Sequence, residues 1–242
     1  MKAKTSKYKE ISSDEFKKGA IYSLLNAIEL HGDAMVMDAF GRKPRVYSLC
    51  KLSLEETAKS LMFYEISLLK DMSKKEPIFD KRIDKILGEI ENHNDKTKYA
   101  LDFLISKSEF FIESHPNKKV KEEPSGLMEE LKWLQILLSQ KEQLDVKKNT
   151  NLYTSLINGE FKPPFISFED ADIENIKHLT YRLLVYVRNM ILKIDDAFFD
   201  LIKFNKEEIK KIDLYLEIRN IQKLKVAYAN QIDEIKRKYP NM

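Results

Sequence analysis

Apolar and polar positions along this chain recur at steps of three and four residues, so helices are predicted through most of its length. The longest uninterrupted run is Val46 to Leu69, entered through Pro44, which a first helical turn tolerates because its missing N–H would have no partner there. On a helical wheel Leu49, Leu52 and Phe63 share one side, and Leu54, Leu61 and Leu68 another. A helix apolar on several sides belongs in the middle of a bundle. Ser53, Thr57 and Ser60 form a narrow stripe of small residues that would let a neighbouring helix approach closely. Glu55, Glu56 and Lys59 interrupt the run, with Glu56 on the arc of Leu49, Leu52 and Phe63 and both glutamates within helical reach of Lys59. Charges placed in a central helix are costly unless paired, so this trio demands a structural or a chemical explanation.

The other elements follow from the same periodicity. Ser12 and Glu15 have capping-box spacing and open a helix to about Phe40, with Phe16, Ala20, Leu24, Ala27, Leu30 and Ala34 on its buried side. Gly41 to Pro44 is the turn, and Lys70 to Pro77 a charged loop. Phe79 to Ser114 reads as one long helix or two meeting near Asn92, with a stripe of Ile83, Ile86, Ile90, Leu101, Leu104, Ser108 and Phe111. One turn of that stripe is polar: His93, Asn94 and Thr97, flanked by Lys96 and Lys98. After a loop from His115 to Gly126, a short helix from Ser125 to Lys141 carries Trp133, Leu134, Leu137 and Leu138. Residues 144–167 form an irregular insertion, where Asn158-Gly159 favours a small hairpin over Tyr153 to Phe161 and Pro163-Pro164 ends any helix. Ser167 and Asp170 again have capping spacing, opening a helix to Phe204 that buries Leu183, Met190, Ile194, Ala197 and Leu201. Asn205 with Glu208 starts a last helix to Lys238. The expected architecture is an all-α bundle of long antiparallel helices. A lysine-rich arm at 1–11 precedes a single domain at 12–242.

Composition agrees with this and narrows the chemistry. Of 242 residues, 43% are hydrophobic and 33% charged, with only 6 Gly and 7 Pro, which suits long helices around a sizeable core. The formal charge of +3 permits contact with RNA or anionic partners without arguing for it. Cys50 is the only cysteine, so intramolecular disulfides and cysteine-based zinc sites are excluded, and a small core residue is expected. No leader pattern and no apolar run of membrane-spanning length is present, so a cytoplasmic protein without membrane contact is expected.

There is no phosphate-cradling glycine loop, no His-Glu-x-x-His and no nucleophile elbow, and the expectation is no cofactor and no metal. Glu55, Glu56 and His93 could supply metal ligands, but a diiron bundle needs a Glu-x-x-His that is missing here. What remains is a complementarity. Two successive helical segments each break their apolar face for about one turn, one with Glu55, Glu56 and Lys59, the other with His93. A carboxylate facing an imidazole orients it and favours its charged form, as general acid–base chemistry requires. The same four residues could equally be a buried network that fixes helix register. Asn94, Lys96, Arg219 and Asn220 are further binding candidates, and Arg188-Asn189 repeats the last dipeptide as what reads as a solvated arginine.

The run Ser53-Leu-Glu-Glu-Thr-Ala-Lys59 resembles the Ser-x-Glu-Glu-x-x-Lys core of the AbiV abortive-infection family, within the all-helical HEPN group. Ala27-x-Glu29-Leu30 is similar to that family's first helix, and His93 with Lys96 and Lys98 to its third. Lys132-x-Leu134, Leu152-Tyr153 and Gly159 to Pro163 are similar to a later segment, so the resemblance runs from Phe16 to Ile176. It implies a HEPN-like bundle, and a bacterial anti-phage effector that halts growth or translation of infected cells. It also implies a homodimer triggered by a phage-encoded protein, acting on RNA or the translation machinery. Many HEPN proteins are ribonucleases using Arg, four to six residues, then His, often with Asn after the Arg. This chain departs from that pattern: Lys223 and Lys225 follow Arg219-Asn220, and no His follows Arg188-Asn189 within reach. A ribonuclease with a non-standard site and a non-catalytic helical interaction protein are the alternatives.

Overall fold

The structure, a computed structural model, describes residues 10–73, 78–90, 92–114, 126–140, 144, 155–157, 160–162, 170–203 and 205–211. Among the described residues it is all-α apart from one small hairpin, as the periodicity predicts. The elements are α1 (Ser13–Ala39), α2 (Lys43–Ser73), α3 (Ile78–Glu89), α4 (His93–Ser114), α5 (Gly126–Ser139), β1 (Ser155–Ile157), β2 (Glu160–Lys162), α6 (Asp170–Ile191), α7 (Asp196–Leu201) and α8 (Lys206–Lys211). No helix among the described residues is long and apolar enough to cross a membrane.

The helix ends follow the local chemistry. The Glu15 N–H donates to Ser12 Oγ at 3.2 Å, closing the first turn of α1. Gly41, at φ +67°, ends it: its N–H reaches Asp38 O and that of Arg42 reaches Met37 O, both at 2.9 Å, a glycine-terminated stop that a side chain would strain. The α3–α4 segment is two helices, not one, and Asn92 separates them. The predicted hairpin forms as antiparallel β1 and β2, with Ile157 opposite Glu160; the turn at 158–159 lies outside the described residues. One expectation fails. The helix beginning near 170 does not run on to Phe204 but ends at Ile191, and Ile194 N–H turns back to Ile191 O at 3.0 Å. Asp195 then caps α7, accepting the Ala197 N–H at 3.1 Å, so Ala197 is exposed where burial was expected. The 167–169 cap and the last helix beyond Lys211 lie outside the described residues.

By contact density the chain groups into two compact units, Met1–Leu24 with Leu54–Lys148, and Leu25–Ser53 with Asn149–Met242. In the first, Phe16, Met62, Ile66, Ile83, Ile86 and Ile90 make the core, and Ile11, Phe63 and Tyr99 pack on it half-buried. There α4 packs against α5, and Leu101 and Leu104 of α4 and Leu134 of α5 are nearly inaccessible. Gly19 leaves room for the Phe63 ring, since a Cβ there would lie 3.2 Å from it. Phe63 in turn meets Phe16 at 5.9 Å between centroids.

The serine stripe does what its small size allows. In the first unit the Ser60 hydroxyl donates to Ala20 O at 2.7 Å, and Ser13 donates to Ser67 O at 2.9 Å. In the second, Ser53 donates to Ala27 O at 2.6 Å. Only a short side chain lets a hydroxyl reach the backbone of a neighbouring helix. The second unit also packs Ile173, Ile176, Leu183, Leu184 and Val187 of α6 at helical spacing. Thr180 Oγ1 lies 3.0 Å from Cys50 O and 2.7 Å from Ile176 O. Lys177 bridges Asp38 and Glu174, each at 2.9 Å. Arg188, read as a solvated arginine, is instead buried, its Nε donating to Ile209 O at 3.2 Å. That corrects the solvated reading: this guanidinium ties α8 to α6.

Candidate functional site

All of the described site candidates lie in the first unit, on α2 and α4. Glu55 sits on α2 two residues beyond Ser53, and its side chain is 2% exposed. Its Oε2 meets Nδ1 of His93, the first residue of α4. An ionised carboxylate only accepts, so Nδ1 carries the proton it donates, and in the neutral ring Nε2 keeps a lone pair. The His93 side chain is 60% exposed. A sheltered carboxylate therefore fixes the ring while the ring faces solvent.

The other charges of the trio do something different. Adjacent residues on a helix point about 100° apart, so Glu56 cannot follow Glu55 inward. It pairs with Lys59 at 3.4 Å, and both side chains are part-exposed. The Lys59 ammonium also lies 5.9 Å from the Phe63 ring centre. This is an ordinary surface pair, worth about 0–1 kcal/mol. Of the four residues expected to converge, Glu55 and His93 meet, while Glu56 and Lys59 meet each other.

Around His93, two local hydrogen bonds close the first turn of α4. Thr97, fully buried, donates its hydroxyl to His93 O at 3.1 Å. Asn92 Oδ1 accepts the Asn94 N–H at 3.0 Å. Lys96 is 7% exposed one turn further on. Asn94 is half-buried, and its Oδ1 is sealed from solvent without a hydrogen-bond partner among the described residues. Arg219 and Asn220 lie outside the described residues. No three potential metal-ligating side chains cluster among the described residues.

A cleft of about 350 Å³ lies in the same unit, lined by Arg82, Lys85 and Glu89 of α3 and Asp95, Lys98 and Asp102 of α4 among others. Neither Glu55 nor His93 lines it, and Arg82 is already paired with Glu65 at 2.8 Å. The Glu55–His93 chemistry and this hollow are thus in different places.

Two features escape a reading of the sequence. Asn92 is visible there only as a place where two helices meet, although an Asn just before a polar turn is a cap signal. His31 is the other: it occupies a buried slot in α1 beside the Tyr181 ring, where the expected stripe has Leu30, which is half-buried. Burial lowers its pKa to about 4, with the Lys177 charge adding to the effect.

No curated protein and no solved structure matches the chain. The AbiV family model matches residues 15–184, a span that holds the serine stripe, Glu55, His93, the hairpin strands and the first half of α6. With well over half of its length inside that match, the chain belongs to the AbiV family of HEPN-like abortive-infection proteins.

Proposed function

We propose that this protein is an anti-phage effector that arrests growth or translation of infected cells, and that the Glu55–His93 pair is its working group. One observation carries the second half of that reading: a 2%-exposed carboxylate holds an imidazole that is 60% exposed. Glu55 keeps the ring in one tautomer and one orientation. His93 Nε2, facing outward, takes a proton from an attacking group and returns it to a leaving group. Family membership supports the anti-phage setting. A phage-encoded protein is the proposed trigger, RNA or the translation machinery the proposed target, and a homodimer the proposed working form.

In the ribonuclease version of this reading, Nε2 removes the proton of a ribose 2′-hydroxyl. The 2′-oxygen then bonds to phosphorus as the bond from phosphorus to the 5′-oxygen breaks, and Nε2 returns its proton to that departing oxygen. The absence of an Arg-to-His motif puts that chemistry on a different residue set from the common HEPN one.

Phage plating tests it. Cells carrying Glu55→Gln or His93→Gln should lose protection while the purified variants keep their melting temperature within a few degrees. Glu56→Gln should keep protection, because Glu56 only pairs with Lys59 on a part-exposed surface. Full protection in folded Glu55→Gln and His93→Gln variants would leave the non-catalytic interaction protein as the correct reading. Sedimentation of the wild type at several concentrations checks the dimer, which a constant monomer mass would remove.

A further inference from the structure

His93 is the first residue of its helix, a position where helices ordinarily fray, so something must hold it against Glu55. Asn92 is placed to do so, and it acts on both sides of the joint. Its backbone N–H donates to Glu89 O at 3.1 Å, closing the end of α3. Its carbonyl accepts the Lys96 N–H at 3.1 Å, the first intrahelical bond of α4. Its side-chain Oδ1 accepts the Asn94 N–H at 3.0 Å, satisfying a first-turn donor that has no partner within the helix. Both flanking helices are anchored, α3 by Ile83, Ile86 and Leu87 and α4 by Thr97, Ala100 and Leu101, all buried. The angle at Asn92 therefore decides from which direction His93 reaches Glu55.

We infer that Asn92 is a positioning residue for the Glu55–His93 pair, acting through the start of α4 and not through contact with a substrate. This rests on the pair being the working group. Thr97 supports it from the other side by binding His93 O. Asn92 is itself exposed, so replacing it removes a cap without opening a cavity. Losing an N-cap acceptor lowers the equilibrium constant for forming the capped turn about fivefold. The two variants to compare are Asn92→Ala, which removes the acceptor, and Asn92→Ser, which keeps one.

The experiment uses the full chain and three readouts: phage plating, the thermal melt, and the NMR signal of the imidazole proton shared with Glu55, assigned by its disappearance in His93→Gln. Asn92→Ala should weaken or broaden that signal and reduce protection by up to about fivefold, and Asn92→Ser should restore both. If Asn92→Ala lowers the melting temperature but leaves the imidazole signal intact, Asn92 is only a helix cap and the inference is wrong. Unchanged protection in Asn92→Ala, with protection lost in His93→Gln, overturns it as well. If His93→Gln itself keeps protection, the working-group reading fails and this inference falls with it, and the imidazole signal then reports only on the geometry of the joint.

Discussion

His31 makes the stability of this protein sensitive to mild acid, and the size of the effect can be worked out. In the folded state burial, aided by the Lys177 ammonium, lowers the imidazole pKa from 6.5 to about 4. Its Nδ1 finds no hydrogen-bond partner among the described residues. Above pH 6.5 the ring is neutral in both folded and unfolded chains, and the proton has no effect. As pH falls below 6.5 the unfolded chain binds a proton that the folded one refuses, so stability declines until the folded ring also protonates near pH 4. At about 1.4 kcal/mol per pH unit, the displacement from 6.5 to about 4 amounts to about 3 kcal/mol, of which about 2 should be lost between pH 7 and 5. Urea denaturation followed by circular dichroism at several pH values measures this. His31→Leu removes the titrating group while the other histidines and the carboxylates remain, so the difference in slope between the two proteins isolates His31. Parallel curves for wild type and His31→Leu between pH 7 and 5 would refute the reasoning.

Other consequences are checked more simply. Gly32 is inside α1, and a methyl group added there would meet nothing within 4 Å, so Gly32→Ala should raise stability by about 0.5–1 kcal/mol in thermal melts. Gly19→Ala should gain less or lose, because its Cβ would stand 3.2 Å from the Phe63 ring; equal effects at the two sites would contradict that packing. Burial pushes the Cys50 thiol up to about 12 against the opposing pull of Lys177, and the residue is inaccessible. A thiol reagent at pH 8 should therefore label nothing at Cys50 until denaturant is added, and prompt labelling of the native protein would show the core to be open there.

How far the sequence foretells this structure depends on what kind of information each feature needs. The serine stripe of α2 is legible because small size at helical spacing has one main use, close approach of another helix. The hairpin is legible because an Asn-Gly pair favours a tight turn and has few alternatives. The end of α6 is not: Leu192 to Ile194 contains no glycine or proline, and only Asp195 as a cap for α7 betrays the break. The choice between Glu55 and Glu56 is not legible either. A helix apolar on two sides offers two candidate inward directions, and the wheel favours Glu56. Which glutamate meets the imidazole depends on where α4 begins and how Asn92 aims it, a matter of tertiary placement that no periodicity in α2 encodes.

The serine bonds have one more consequence, for how this chain tolerates changes in length. Ser53 and Ser60 are seven residues apart on α2, and the carbonyls they reach, Ala27 and Ala20, are seven apart on α1. Within each unit, then, a serine hydroxyl indexes α2 against a carbonyl of α1, at a point well away from the turn at Gly41. A one-residue slip would rotate every hydroxyl off its carbonyl and leave it buried and unsatisfied. Glu55 shares a unit with the Ser60–Ala20 bond, so its position is set by that bond and not by the turn. Residues inserted beside Gly41 should lengthen the loop and leave the carboxylate where it is.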